Sequence, residues 1–280
     1  MSEPKVEIAA SAEPDVEMAG EEEEAADVAN GEIGGPAGED GTERPNPQTV
    51  FLDYLRSPIV ELMVGAGNEA TLLTAHQALI MQSPYVAQKL SEDLPDLPGS
   101  SRRLDLPEES LDAVGCFLQY QYTGEYFPRR IATNPDSLET DPSVPEVDET
   151  GTQLLKHARV YTLAEKLGMP ELKTLAHSKI HRINSTAVGE IAYARYVYGN
   201  TPSADITIRK PVAAFWATRS HVLRHEAEKE FRKMCLEFPQ FGFDVLSLVL
   251  DQREKRSAAR DEETPMKGSS RKRMRPSVQM

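Results

Sequence analysis

The chain has 280 residues, 39% of them hydrophobic, with 45 acidic and 31 basic side chains and a net charge of −14. That length suits one or two domains with tails. No run approaches the ~18 apolar residues of a membrane span, and two cysteines, Cys116 and Cys235, make neither a disulfide framework nor a four-cysteine zinc site.

The charge is uneven. Residues 1–47 hold 14 Asp/Glu and 2 Lys/Arg, whereas residues 252–280 hold 9 Lys/Arg and 4 Asp/Glu. The first segment is rich in Glu, Ala, Gly and Pro and reads as a disordered acidic tail, because it cannot bury enough apolar surface to offset chain entropy. It lacks the apolar stretch of a secretory signal, so the expected location is the nucleus or cytoplasm. The body, 48–251, is itself mildly acidic, a poor general match for a phosphate backbone.

Order is expected from about Val50. Phe51, Leu52 and Leu55 sit at helical spacing before Pro58, and Ile59–Val64 reads as a strand. Gly65-Ala-Gly-Asn68 is turn chemistry, and Thr71–Leu73 resumes a β-prone run, which predicts a hairpin. A short helix follows over His76–Gln82, and Ser83 caps another with Pro84 at its first position. Pro95–Ser101 reads as a loop and Arg103–Leu106 as a strand. Pro107-Glu-Glu109 predicts a helix start, with Leu111, Val114, Phe117 and Leu118 on one face and Gly124 as its stop.

Residues 128–150 contain four prolines and six acids and read as an acidic, mobile excursion. A helical hairpin is predicted next. Its first helix carries Leu154, Leu155, Ala158, Tyr161 and Leu167, Gly168 stops it, and Pro170 starts the second, with Leu172, Leu175, Ala176 and Ile180. From Ser185 the pattern stays helical. Ser185 or Thr186 caps one helix, Pro211 begins another with Phe215 and Trp216, and Phe231, Met234, Cys235 and Phe238 form the stripe of a third. Asp244–Leu250 reads as a last short helix before a disordered basic tail, 252–280.

The chemical signals are weak one by one. Gly65-Ala-Gly67-Asn-Glu-Ala70 fits a dinucleotide fingerprint in letters, yet a strand rather than a helix is predicted after it, so a hairpin turn explains it better. His177/His181 and His221/His225 each share a helix face, but no third ligand is identifiable, and all four read as solvated side chains. His76 reads as a structural histidine bonded to backbone. Tyr193, Tyr196 and Tyr198 at helical spacing read as core and interface rather than as a base-stacking platform. No nucleophile–base constellation is present, so neither an enzyme nor a cofactor is indicated. Lys267, Arg271, Lys272, Arg273 and Arg275 form a basic block fitting a nuclear-import motif; a solvated tail and a local nucleic-acid contact are the other readings.

Three elements in order, Ala75-His-Gln-Ala-Leu79, Ser83-Pro-Tyr85 and Tyr122-Thr-Gly124, resemble the BTB/POZ domain, with the flavour of its fungal members. The helical hairpin around Gly168 and Pro170 completes the likeness, which covers roughly residues 57–180. It implies an α+β fold, a small sheet packed among helices, at 48–184, followed by an all-helical extension at 185–251. It also implies a non-enzymatic protein–protein interaction module that recruits or bridges partners in nuclear regulation. Other family roles are adaptor of a cullin-type ubiquitin ligase and, through the basic tail, DNA-associated regulator. The partner surface it implies contains Leu111, Tyr122, Glu125 and Tyr126, with His76, Gly124, Gly168 and Pro170 structural. Pro58 and Thr74 stand where zinc-finger-linked members carry an Asp and an Arg, which speaks against a corepressor groove of their type, and an N-terminal helix shorter than theirs leaves homodimerisation open.

Overall fold

The computed structural model describes residues 47–92, 102–140, 142 and 144–263, all within the compact unit Pro45–Met280. The acidic segment 1–46, the loop at 95–101 and the basic block 267–275 lie outside the described residues.

Helix α1 (Pro47–Arg56) leads into strand β1 (Ile59–Val64), a turn, and strand β2 (Thr71–His76). β1 is central. It pairs antiparallel with β2, Met63 opposite Leu72, and parallel with β3 (Arg102–Leu106), Leu62 opposite Leu104. The turn works because Gly65 and Gly67 adopt φ of 84° and 63°, values that side-chain-bearing residues avoid. Alternation then sends Val60, Leu62 and Val64 inward with Leu104 and Leu106, all buried. Between β2 and β3 lie α2 (Gln77–Ile80) and α3 (Pro84–Glu92); Ser83 Oγ accepts from Val86 N–H at 3.3 Å, as its sequence position predicts.

Helix α4 (Leu111–Thr123) starts later than expected. Pro107–Glu109 form a turn in which Glu109 N–H reaches Leu106 O, and Ser110 supplies the cap by accepting from Ala113 N–H. Glu109 is instead bound to Lys166 at 2.6 Å. Gly124 closes α4 in the left-handed region, φ 72°.

The 128–150 segment is not without regular structure. It holds a two-stranded hairpin, β4 (Arg130–Ile131) and β5 (Asn134–Leu138). Buried Asp148 then accepts from the N–H groups of Gly151, Gln153 and Leu154, which caps α5 (Thr152–Leu167). α5 pairs with α6 (Pro170–Ile180) across the predicted Gly168–Pro170 junction.

Helix α7 (Ala187–Asn200) is capped by Thr186 and packs on α5. α8 (Ile206–Glu226) begins before Pro211 rather than at it. Proline there removes the N–H that Thr207 O would accept, and His177 Nε2 reaches that oxygen at 3.0 Å. α9 (Glu228–Glu237) is followed by α10 (Pro239–Glu263), which starts earlier and runs further than the short helix expected. Residues 252–263, rich in good helix formers and free of breakers, extend it. Trp216, fully buried, gathers Phe231 and Phe241 at ring distances of 5.2 and 6.2 Å. The architecture is α+β: a small mixed sheet among helices, then an all-helical region.

Candidate interaction surfaces

The four residues expected on a partner surface do not share one environment. Leu111, at the start of α4, is exposed. Tyr122 is half-buried; its hydroxyl accepts from His76 N–H at 3.1 Å and lies 2.7 Å from His76 Nδ1. His76 is thus structural, held by a phenol 46 residues away rather than by backbone.

Tyr126 belongs to the interior, and Glu125 is partly buried beside it. Tyr126 is 0% exposed, which removes it from any docking face. Its hydroxyl lies 2.9 Å from Nδ1 of buried His157, and its carbonyl, with that of Pro128, accepts from Lys179. Lys179 is itself completely buried, its ammonium 2.6 Å from Glu125 and over the Tyr126 ring. Burial pushes the Glu125 carboxyl up, but Lys179, the Tyr126 N–H and Arg130 outweigh it and hold it below the usual range. Burial pulls the Lys179 ammonium down, and Glu125 opposes that.

The histidine pairs separate. His221 and His225 are exposed, as expected. His177 is not simply solvated: it takes the Thr207 carbonyl and stands edge-on to His181, centroids 4.6 Å apart. Among the described residues no third ligand converges on them. Gly124 and Gly168 close α4 and α5 in the left-handed region, and Pro170 opens α6. Cys116 is buried and Cys235 partly so; both are free thiols, pushed up by burial.

Apart from Leu111, exposed apolar side chains gather elsewhere. On α1, Phe51, Leu52 and Leu55 are 41, 52 and 36% exposed; on the adjoining hairpin, Ile59 and Leu72 are 47 and 50% exposed. α1 rests on α2 and β2. Ser57 fixes its end, donating to Tyr54 O at 2.7 Å and accepting from Ala78 N–H at 3.0 Å. A second stripe, Phe243, Leu246 and Leu250, lies along α10. The sequence showed these apolar residues but not which stay uncovered, since that depends on elements distant along the chain.

No protein-family model matches the chain, and no curated protein does. Among solved structures, the chain is similar to the BTB (Tramtrack and Bric a brac) domain of human gigaxonin, with 15% identity, over 49% of this chain and 95% of that one, at a TM-score of 0.29. A likeness that loose carries no argument about function.

Proposed function

We propose that residues 48–184 are an interaction module of the BTB/POZ type, and that the face formed by α1 and the β1–β2 hairpin docks a second copy of this chain. The observation that carries this reading is the set of five large apolar side chains left exposed on ordered elements, Phe51, Leu52, Leu55, Ile59 and Leu72. Solvated singly they would mean little. Here three sit on one short helix and two on the hairpin it leans against. A two-fold contact would bury the same patch on both copies. The element order, hairpin, two short helices, strand, long helix and helical hairpin, supports the resemblance read from Ala75–Leu79, Ser83–Tyr85 and Tyr122–Gly124. The absence of Asp and Arg at Pro58 and Thr74 suits a contact made by hydrocarbon rather than by charge. The cullin-adaptor reading is weakened by the burial of Tyr126.

Light scattering on the full chain tests the reading. Wild type should elute at twice the monomer mass, and L55E/L72E, with two charges set into the contact, at the monomer mass with an unchanged circular dichroism spectrum. A monomeric wild type, or a dimer indifferent to both substitutions, overturns it.

A further inference from the structure

α5, the end of α6, α7 and α8 line a half-open cavity of about 110 Å³. Its walls are hydrocarbon and aromatic, with Leu154, Val212, Tyr193 and Phe215 among them, and His181 also lines it. One carboxylate is exposed to this space, that of Glu190, a residue only 9% exposed. Among the described residues its carboxylate makes no hydrogen bond or ion pair. A buried carboxylate in apolar surroundings is costly unless it is neutralised or paired.

The charged groups around it do not pair with it. Arg219 on α8 attracts it from a distance, its guanidinium lying over the Phe215 ring at 4.9 Å, and Asp148, ahead of α5, repels it. His181 contributes little positive charge, because burial, His177 and Arg182 hold its pKa below the ordinary value.

We propose that this cavity binds a small organic ammonium group, with Glu190 as its counter-ion and the rings of Tyr193 and Phe215 as its aromatic walls. Aromatic faces attract ammonium ions, most strongly where water is excluded. The volume falls well below the ~300 Å³ of pockets that take whole drug-sized ligands. It therefore suits an alkylamine or the end of a lysine side chain. Divalent ions such as calcium take six or more oxygen ligands, which these walls do not supply. Burial, helped by Asp148 and opposed by Arg219, pushes the Glu190 carboxyl up to about 7. A cation should accordingly bind better as the pH rises through neutrality.

The test is calorimetric titration of the full chain with n-butylammonium, with n-butanol as the neutral isostere. Saturable one-to-one binding is expected at about pH 8, weakening roughly tenfold at about pH 6, where only about a tenth of Glu190 is ionised. E190Q keeps the shape and removes the charge. It should lose butylammonium binding by more than about tenfold while treating butanol as wild type does. Equal butylammonium binding in wild type and E190Q overturns the proposal, as does its absence in wild type at the higher pH. Were E190Q unfolded by circular dichroism, the wild-type preference for butylammonium over butanol would decide alone: a clear preference supports the site and none removes it. Nα-acetyl-lysine methylamide distinguishes the sources. Binding at least as tight as butylammonium assigns the site to a protein lysine, and weaker binding assigns it to a free amine.

Discussion

Lys179 is completely buried, and three oxygens hold its ammonium: one from the Glu125 carboxylate and the carbonyls of Tyr126 and Pro128. It follows Leu172, Leu175 and Ala176 at the spacing of one helix face, so its place in the core is set by α6 and its solubility there by a loop more than fifty residues earlier. Removing the charge strands its partners. K179M, which keeps most of the stem, should destabilise the chain by about 3 kcal/mol in urea unfolding, because it takes the buried cation from the Glu125 carboxylate, which keeps the Tyr126 N–H and Arg130, and leaves two carbonyls without their lysine donor. K179M/E125Q should recover part of that loss; a single variant as stable as wild type would show that the pair contributes nothing. His157 and Glu190 repeat the pattern. Each stands three residues after an apolar residue of its own stripe, Leu154 and Ala187, where hydrocarbon would be expected. A titratable residue in a core register is a sequence signal, and for all three it was present. Their partners, or the lack of them, were not.

Among the elements, the N-terminal ends of α5 and α7 meet closely at Asp148, Gly151 and Gly189. A Cβ built on Gly189 would stand 2.3 Å from Ser185 Oγ and 2.7 Å from Asp148 O. The second of these is backbone, tied into the bridge between Asp148 and Ser185, and cannot turn aside. G189A should therefore cost about 1–3 kcal/mol through overpacking, read as a lowered melting temperature. Gly115, exposed on α4 with nothing within 4 Å of a built Cβ, is the control. G115A should be neutral or stabilising by up to about 1 kcal/mol from helix propensity alone. Were both substitutions equally harmless, the close approach would not constrain the fold. α8 makes a related point. A proline six residues into a helix looks like a start in sequence, and it is accommodated here because His177 serves the carbonyl that Pro211 cannot.

At the scale of the molecule, stability against pH sums groups from both halves. Burial first, then the positive charges of Lys179 and Lys156, pull His157 down to about 3. The folded chain refuses a proton that the unfolded chain takes below about pH 6.5, so this stability is whole above that pH and is lost on acidification toward about pH 3. Glu190 has the opposite sign. Burial raises it to about 7, so the folded chain holds a proton that the unfolded chain releases near pH 4.5, and this stability is lost as pH rises between those values. From about pH 4.5 to 6.5 the two slopes, each about 1.4 kcal/mol per pH unit at most, oppose each other. E190Q should lose stability as pH falls through that window, and H157Q should gain it, in urea midpoints taken at either end. Variants that both keep the wild-type profile would contradict the assignment.

What the sequence determined by itself was local. The bounds of β1, the glycine turn after it, the Ser83–Pro84 cap and the Gly168–Pro170 junction are each decided by a few adjacent residues, through backbone conformations that glycine permits and proline fixes. The α+β order was legible for the same reason, since hydrophobic period changes with element type. Tertiary structure decided which side chains remain in water. Tyr126 looked like a surface aromatic and lies under Lys179, Asp148 sat in an acidic run and caps α5, and the apolar residues of α1 stay uncovered. Burial is set by what packs from elsewhere in the chain, and no window of neighbouring residues contains that information.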